Sequence, residues 1–262
     1  MGFLDKIFGR KNSPHEELPS SIGPLGMPGD WQPVPELSDD FSGSALDTTK
    51  WEPFNKTWKG RAPGWFNPSN VTVSGGSLNL SSRVEEAPAG YPEKFHTFST
   101  SFVRSKARIK YGFIEAVVQT ADSVTSSSFW LVHNQQEDWN EIDVFESSQA
   151  AGHERKFHMN MHVFRKDGAK LAQTYSKPKW VQLERRMCEK ALVVAVAWDE
   201  EYVTWLVEGK VVRREKNEAW NHEMWLQFDC ETMGGWFGLP EVGDGRLPAV
   251  FRVFAVRTWK KA

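Results

Sequence analysis

Three acids fall within six residues in the segment Asn140 to Glu146, NEIDVFE. In an extended strand, side chains alternate between faces, so Glu141 and Asp143 share one face while Ile142 and Val144 point to the other. Strict alternation would then put Phe145 with the acids and Glu146 beside Ile142 and Val144, where an unpaired carboxylate in an apolar core is costly. One extra residue, a β-bulge at Val144 or Phe145, removes the conflict: Phe145 stays buried and Glu146 returns to the face of Glu141 and Asp143. The spacing predicts a bulge and three carboxylates in one row.

Such a row suits glycoside hydrolysis with retention. One carboxylate attacks the anomeric carbon, a protonated carboxylic acid donates to the leaving oxygen, and the two lie about 5 to 5.5 Å apart. Four regular strand steps put the outer Cα atoms about 13 Å apart, and two glutamate side chains leaning together in a concave sheet can close most of that gap. A short Asp143 between them raises the proton affinity of its neighbours, helps keep one glutamate protonated near neutral pH, and makes the three titrate as a set. The flanking residues fit the same use. Ser126 to Ser128, Phe129, Trp130 and Trp139 surround the row, and His158, Asn160 and His162 alternate on what should be the next strand. A divalent-metal site of Glu, Asp and His is the other chemical reading, and a solvated acidic strand face is the bland one. Nothing in the sequence resembles a compact ligand loop, so the metal reading ranks lower.

The elements that must carry these residues read as short strands. Asn70 to Ser82 alternates Val71, Val73, Leu78 and Leu80 around Gly75-Gly76, a hairpin signal. Thr100 to Gln119 follows the same period. So do Leu192 to Trp198, Tyr202 to Val207 and Lys210 to Arg214, with Glu208-Gly209 as a tight turn. Many short strands over about 230 residues, with no sustained helical period after residue 30, predict an all-β antiparallel sandwich of two large sheets.

The chain has 262 residues, with 32 Lys plus Arg against 34 Asp plus Glu and a net charge of -2, so no positive field exists to hold a nucleic acid. At 40% hydrophobic and 25% charged residues it can bury a core. Its 13 Trp against 4 Tyr suggest that some rings serve a surface facing flat, CH-rich, polar-edged partners such as sugars. The longest apolar run, Ala191 to Trp198, is too short for a transmembrane helix, and Asp5 and Lys6 interrupt any secretory signal. Residues 1 to 11 place Phe3, Leu4, Ile7 and Phe8 on one helical face, a weak surface anchor or a frayed tail. Asn12 to Pro35 holds six of 14 prolines, the composition of a linker or an extended wrap. The expected division is a tail and linker over residues 1–30 and one catalytic domain over 31–262. Cys188 and Cys230 are expected as buried thiols, with one disulfide possible.

At EIDVFE the sequence resembles glycoside hydrolase family 16, matching the bulged form of that family's E-[ILV]-D-x-(x)-E signature. Further blocks resemble the marine galactanase branch of β-agarases, β-porphyranases and κ-carrageenases: TWKGRAPGWF (Thr57 to Phe66), VRSKARIKYGFIEA (Val103 to Ala116), SSSFWL (Ser126 to Leu131), the hairpin from Trp198 to Lys210, and FDCETMGGWFGLP (Phe228 to Pro240). The resemblance covers roughly residues 31 to 260. It implies a β-jelly-roll sandwich of the laminarinase type with a cleft across its concave face, and endo-type hydrolysis of a β-linked polysaccharide, first a red-algal galactan and alternatively a β-1,3-glucan. It also implies that Glu141 is the nucleophile, Asp143 its electrostatic partner, Glu146 the general acid/base, and Trp130 a stacking platform. Trp58, Arg61 and Trp65 would line the non-reducing side, and His162, Arg165 and Glu231 would hydrogen-bond substrate. Trp65 departs from the smaller apolar residue usual there, and Cys230 interrupts the usual D-T-E. No organic cofactor is implied; a calcium ion on the convex side is common in such folds, and no residue here specifies one. A monomer is expected, and a polymeric substrate implies an extracellular or periplasmic setting, although no signal peptide is recognisable. The contrasting class is a non-catalytic sugar-binding protein on the same sandwich, which would have no use for all three acids.

Overall fold

The computed structural model describes residues 18–24, 27, 29–135, 138–167 and 170–262; the amphipathic stretch at residues 1–11 lies outside them. In chain order the strands are β1 (Trp31–Pro33), β2 (Trp51–Glu52), β3 (Trp65–Phe66), β4 (Val71–Ser74), β5 (Ser77–Val84), β6 (Phe98–Ser105), β7 (Gly112–Gln119), β8 (Ser127–Gln135) and β9 (Asp138–Ser147). There follow β10 (Lys156–Asp167), β11 (Lys170–Ser176), β12 (Lys179–Gln182), β13 (Leu192–Trp198), β14 (Tyr202–Val207), β15 (Lys210–Lys216), β16 (Trp225–Cys230) and β17 (Ala249–Lys261). Two single-turn 3-10 segments, Pro35–Leu37 and Pro68–Asn70, are the other regular elements among the described residues. No helix among the described residues is long and apolar enough to cross a membrane.

The strands form two layers. A back sheet runs β4-β5-β17-β7-β13-β14-β15, with β1 beside the end of β17. A front sheet runs β2-β6-β16-β8-β9-β10, and β11 and β12 share the outer side of β10. Every pairing is antiparallel except β3 with β6. The result is a β-jelly-roll. The stretch from Thr100 to Gln119 is two strands in different layers, β6 and β7, separated by residues 106–111.

Between the layers lies one core. Ile114, Ala116, Val194, Val196 and Phe251 face it from the back sheet, and Val103, Leu131, Ile142, Met161, Leu226 and Phe228 from the front. Phe129 and Phe228 stack at 4.4 Å, and Phe145 meets Phe251 edge-on at 5.9 Å across the interlayer gap. Each fully buried side chain of this size contributes roughly 1.5–3 kcal/mol. Four tryptophans, Trp51, Trp198, Trp205 and Trp220, are also fully buried.

The outer face of the back sheet is covered as well. Ile22, Met27, Trp31 and Trp259 pack on Phe113, Ala195, Ala197 and Leu206, and Ile22 also reaches Val117 and Val193. Buried on both faces, β13 reads as a continuous apolar run rather than an alternation. Both cysteines are free. Cys230 is buried with its Sγ 3.4 Å from the Thr125 hydroxyl, whereas Cys188 is half-buried, which corrects the expectation of two buried thiols and excludes a bridge between them.

Candidate active site

β9 carries the acids, and its pairing on both sides locates the bulge. Against β8, Val132 faces Glu141, Leu131 faces Ile142 and Trp130 faces Asp143; Phe129 then faces Phe145 and Ser128 faces Glu146. Val144 is the residue without a counterpart. Ile142, Val144 and Phe145 all enter the core, so two consecutive side chains point inward and Glu146 emerges with Glu141 and Asp143. Two tryptophans hold this irregular backbone: Trp205 Nε1 crosses from β14 to donate to the Asp143 carbonyl at 2.9 Å, and Trp220 Nε1 donates to the Glu141 carbonyl at 2.8 Å.

The next strand supplies a polar partner for each acid. On β10, His158 stands opposite Glu146, Asn160 opposite Asp143 and His162 opposite Glu141. His158 Nδ1 lies 3.0 Å from Glu146 Oε2, and His162 Nε2 lies 3.2 Å from Asp143 Oδ2 and 3.9 Å from Glu141 Oε1. Trp139 Nε1 donates to Glu141 Oε2 at 3.1 Å.

On the opposite side β16 adds a second pair of acids. Asp229 and Glu231 alternate outward while Cys230 enters the core. Trp130 Nε1 donates to Asp229 Oδ2 at 2.6 Å, and Arg61 pairs with Glu231 at 3.2 Å. Arg61 arrives on the loop Thr57 to Phe66, whose approach depends on two glycines. Gly60 has φ +119, and a Cβ there would lie 2.7 Å from the Gly64 carbonyl; a Cβ on Gly64 would lie 2.5 Å from Thr232 Oγ1. The same loop brings Trp58 edge-on to Trp130, ring centres 6.0 Å apart. Together these groups line a cavity of about 510 Å³ with Glu141, Asp143 and Glu146 on its floor. Ser128 Oγ, Gln227 Nε2, Asp229 Oδ1 and Glu231 Oε2 are buried at that floor without a protein partner, a set of donors and acceptors matched to sugar hydroxyls.

Five carboxylates thus crowd one cleft. Burial pushes Glu141 and Asp143 well above the ordinary carboxylate range, with the Asp143 charge adding to the effect on Glu141 and the Glu146 charge to that on Asp143. Burial and the neighbouring Glu231 do the same to Asp229. Glu231 is raised by burial to about 7, held down by Arg61. Four of the five therefore bind protons more tightly than ordinary carboxylates, and their titrations belong to the set. Glu141 accepts from Trp139 Nε1, while Asp143, more deeply buried, has His162 Nε2 3.2 Å from its Oδ2, and a hydrogen bond with Glu141 works against the rise that burial imposes on it.

Glu141, Asp143 and His162 each offer a ligand atom within 4.8 Å of the others. A calcium ion takes six to eight oxygen ligands, which this set of two carboxylates and an imidazole does not provide. Among the described residues no other His, Cys, Asp and Glu cluster of this kind occurs.

Of the residues singled out in the sequence, the structure brings Trp58, Arg61, Trp130, His162 and Glu231 to the three acids. Two stand elsewhere. Trp65 is 4% exposed, donates to the Glu85 carbonyl and packs against Tyr91, so it is part of the wall behind the loop and lines no cleft surface. Arg165 bonds Asn140 Oδ1 at 2.8 Å and reaches Asp138 at 3.4 Å, bracing β9 from its edge. The sequence reading assigned no role to Asp229, although its alternation with Glu231 was visible in D-C-E. Nor did it single out Trp180 and Trp236, whose approach to the cleft depends on strand pairing and loop path.

A family model described as "Beta-porphyranase A-D, GH16 domain" matches residues 31–260. The chain is 26% identical to β-porphyranase B of Zobellia galactanivorans over 231 residues, 82% of this chain and 78% of that protein. A 106-residue stretch is 37% identical to β-porphyranase D of the same bacterium, covering 38% of this chain and 25% of that one. The crystal structure of a β-porphyranase from the human gut bacterium Bacteroides plebeius shares the fold, with a TM-score of 0.80 at 20% identity over 94% of this chain and 95% of the other. The protein is a glycoside hydrolase, and it belongs to the GH16 porphyranase-domain family.

Proposed function

We propose that the protein cleaves internal β-glycosidic bonds of a red-algal galactan of the porphyran or agarose type, with retention of configuration. The observation that carries this reading is the bulge at Val144, which turns Glu141, Asp143 and Glu146 onto one cleft floor. Glu141 Oε1 attacks the anomeric carbon while Glu146 protonates the glycosidic oxygen, so the C–O bond breaks and a glycosyl ester forms on Glu141. Glu146, now ionised, takes a proton from water; the water oxygen attacks the same carbon and frees Glu141. His158 on Glu146 Oε2 leaves Oε1 to face the leaving oxygen, Trp139 on Glu141 Oε2 leaves Oε1 to attack, and Asp143 stands beside Glu141 as its electrostatic partner. Trp58 and Trp130 offer apolar faces to sugar rings, and Arg61 with Glu231 bonds their hydroxyls. The relatives support porphyran as the first polymer to test. All these groups come from one chain, and a monomer is sufficient.

Reducing-sugar release from porphyran, agarose, κ-carrageenan and laminarin, with E141Q and E146Q as controls, tests the reading. Porphyran or agarose should be cleaved, each variant should lose at least about a thousandfold, and EDTA should leave the rate unchanged because no step runs through a metal. Undiminished hydrolysis in either variant overturns the roles. Binding without release from any polymer assigns the chain to the sugar-binding class, and release from laminarin alone makes it a β-1,3-glucanase.

A further inference from the structure

Pairing across the front sheet sets a transverse row: Asp229 on β16, Ser128 on β8, Glu146 on β9, His158 on β10 and Trp180 on β12 stand opposite one another in turn. Directly paired residues of antiparallel strands share a face, so Trp180 stands on the face that carries the acids. Trp236 approaches the same place from the loop after β16, in a tight turn where its backbone N–H bonds the Met233 carbonyl. The two indoles lie 5.6 Å apart at 63°, and His158 sits between them, 5.0 Å from Trp180 and 4.8 Å from Trp236. Both are unusually exposed for tryptophan, at 38% and 37%. Lys156 Nζ lies over the Trp180 ring, 4.8 Å from its centre.

These rings wall a second cavity of about 510 Å³ that shares Glu141, Glu146 and Arg61 with the first and extends from the acids in the opposite direction. The two halves differ in access. The first is the more enclosed and sets Trp58, Trp130 and Trp139 beside its carboxylates, Gln227 and Ser128. The second is more open, with Trp180 and Trp236 on its outer side and His158, Asn160 and His162 between them and the acids.

We propose that Trp180 and Trp236 form the binding platform for the departing, reducing-side part of the glycan, contacting at least two pyranose rings beyond the cleaved bond through their CH faces. The inference rests on the glycosidase reading of the acids. Two exposed rings at the open side of the cleft suit a segment that must be held for protonation of its oxygen and then released. His158 couples the two tasks in space, since the ring bonded to Glu146 is also the floor of the aromatic notch.

The test uses hexa- and octasaccharides of agarose and porphyran labelled at the reducing end, with W180A, W236A, the double variant, and W180F and W236F. Wild-type protein should leave at least two units on the labelled side. Each alanine variant should move cleavage toward the labelled end and lower kcat/KM about tenfold, the double variant more, while both phenylalanine variants stay within about threefold and melting temperatures stay unchanged. An unchanged cleavage pattern and rate in the double variant overturns the platform. If wild-type protein cleaves none of these sugars, the glycosidase reading is what fails, and the platform is then decided by equilibrium binding of the same oligosaccharides. About tenfold weaker binding to the double variant sustains it, and equal binding overturns it.

Discussion

At the level of single residues the cleft is defined by carboxylates that keep protons when ordinary ones have lost them. For Glu231 the sign follows from linkage. Its folded pKa of about 7 lies above the value of 4.5 for a free glutamate, so the native state binds the proton more tightly and stability falls as pH rises between those values. With the side chain 2% exposed, the span corresponds to something on the order of 3 kcal/mol. Glu141, Asp143 and Asp229 are raised by the same burial and add to the loss in the same direction. Urea unfolding across pH 4 to 8 should show a protein more stable near pH 5 than near pH 8, with E231Q flattening part of that slope; a slope of the opposite sign would mean that Arg61 outweighs burial. The three acids of β9 were legible because their types and spacing conflict with strict alternation. The acids of β16 were half legible, since Asp229 and Glu231 flank an inward Cys230, but nothing local reveals that their strand lies two places from β9. Trp65 misled for the converse reason: a tryptophan within a substrate-loop pattern reads the same whether its ring faces the cleft or the wall behind it.

At the level of the element, β9 works through the extra residue. Val144 has no counterpart on β8, and Ser128 and Trp130 already stand two apart opposite Glu146 and Asp143. Deleting Val144 would therefore leave a regular strand in the same register, with Phe145 inward and all three acids still on the cleft. The cost is one buried valine, roughly 1.5–3 kcal/mol. Deleting Ile142 has the opposite consequence: Glu141 becomes the immediate neighbour of Asp143 and turns into the core, where its charge costs several kcal/mol. Melting temperature and polymer hydrolysis should separate the two. The Val144 deletion folds and keeps measurable activity, and the Ile142 deletion loses activity and most of its stability. If the deletions behave alike, the register does not pivot on Val144. Strand positions were readable from the two-residue period at β4–β5 and β14–β15, whereas β13 is a continuous apolar run and β6 and β7 read as one stretch. Partnership was not, because β10 divides its outer side between β11 and β12 and β17 holds β5 and β7 on either side, pairings between distant segments that no local pattern encodes.

Across the whole molecule the front sheet holds the chemistry and the back sheet is closed off by chain from the N-terminal side. Glu115, in the middle of β7, is fully buried, an isolated acid on an otherwise apolar strand. It accepts from the Ser21 hydroxyl and from the backbone N–H groups of Ile22 and Gly23, the latter at 2.8 Å, with Arg257 at 3.6 Å. Ile22 packs on Val117 and Val193 beside these bonds. One carboxylate thus fixes the backbone whose side chain caps the apolar face, and the two interactions hold or release the segment together. Substituting Glu115 by alanine should cost about 2–3 kcal/mol, in the range for hydrogen bonds to a charged group, and Ile22→Ala about 1–2 kcal/mol for a partly buried isoleucine. In the double variant the sum should fall short by about 1 kcal/mol or more, because a segment freed by the first change has little left to lose from the second. Urea unfolding of the four proteins measures the coupling, and strict additivity would mean that bonds and packing act separately. Polymer hydrolysis should stay within about twofold in all four, since the core separates Glu115 from the cleft and the segment touches none of the residues that line it.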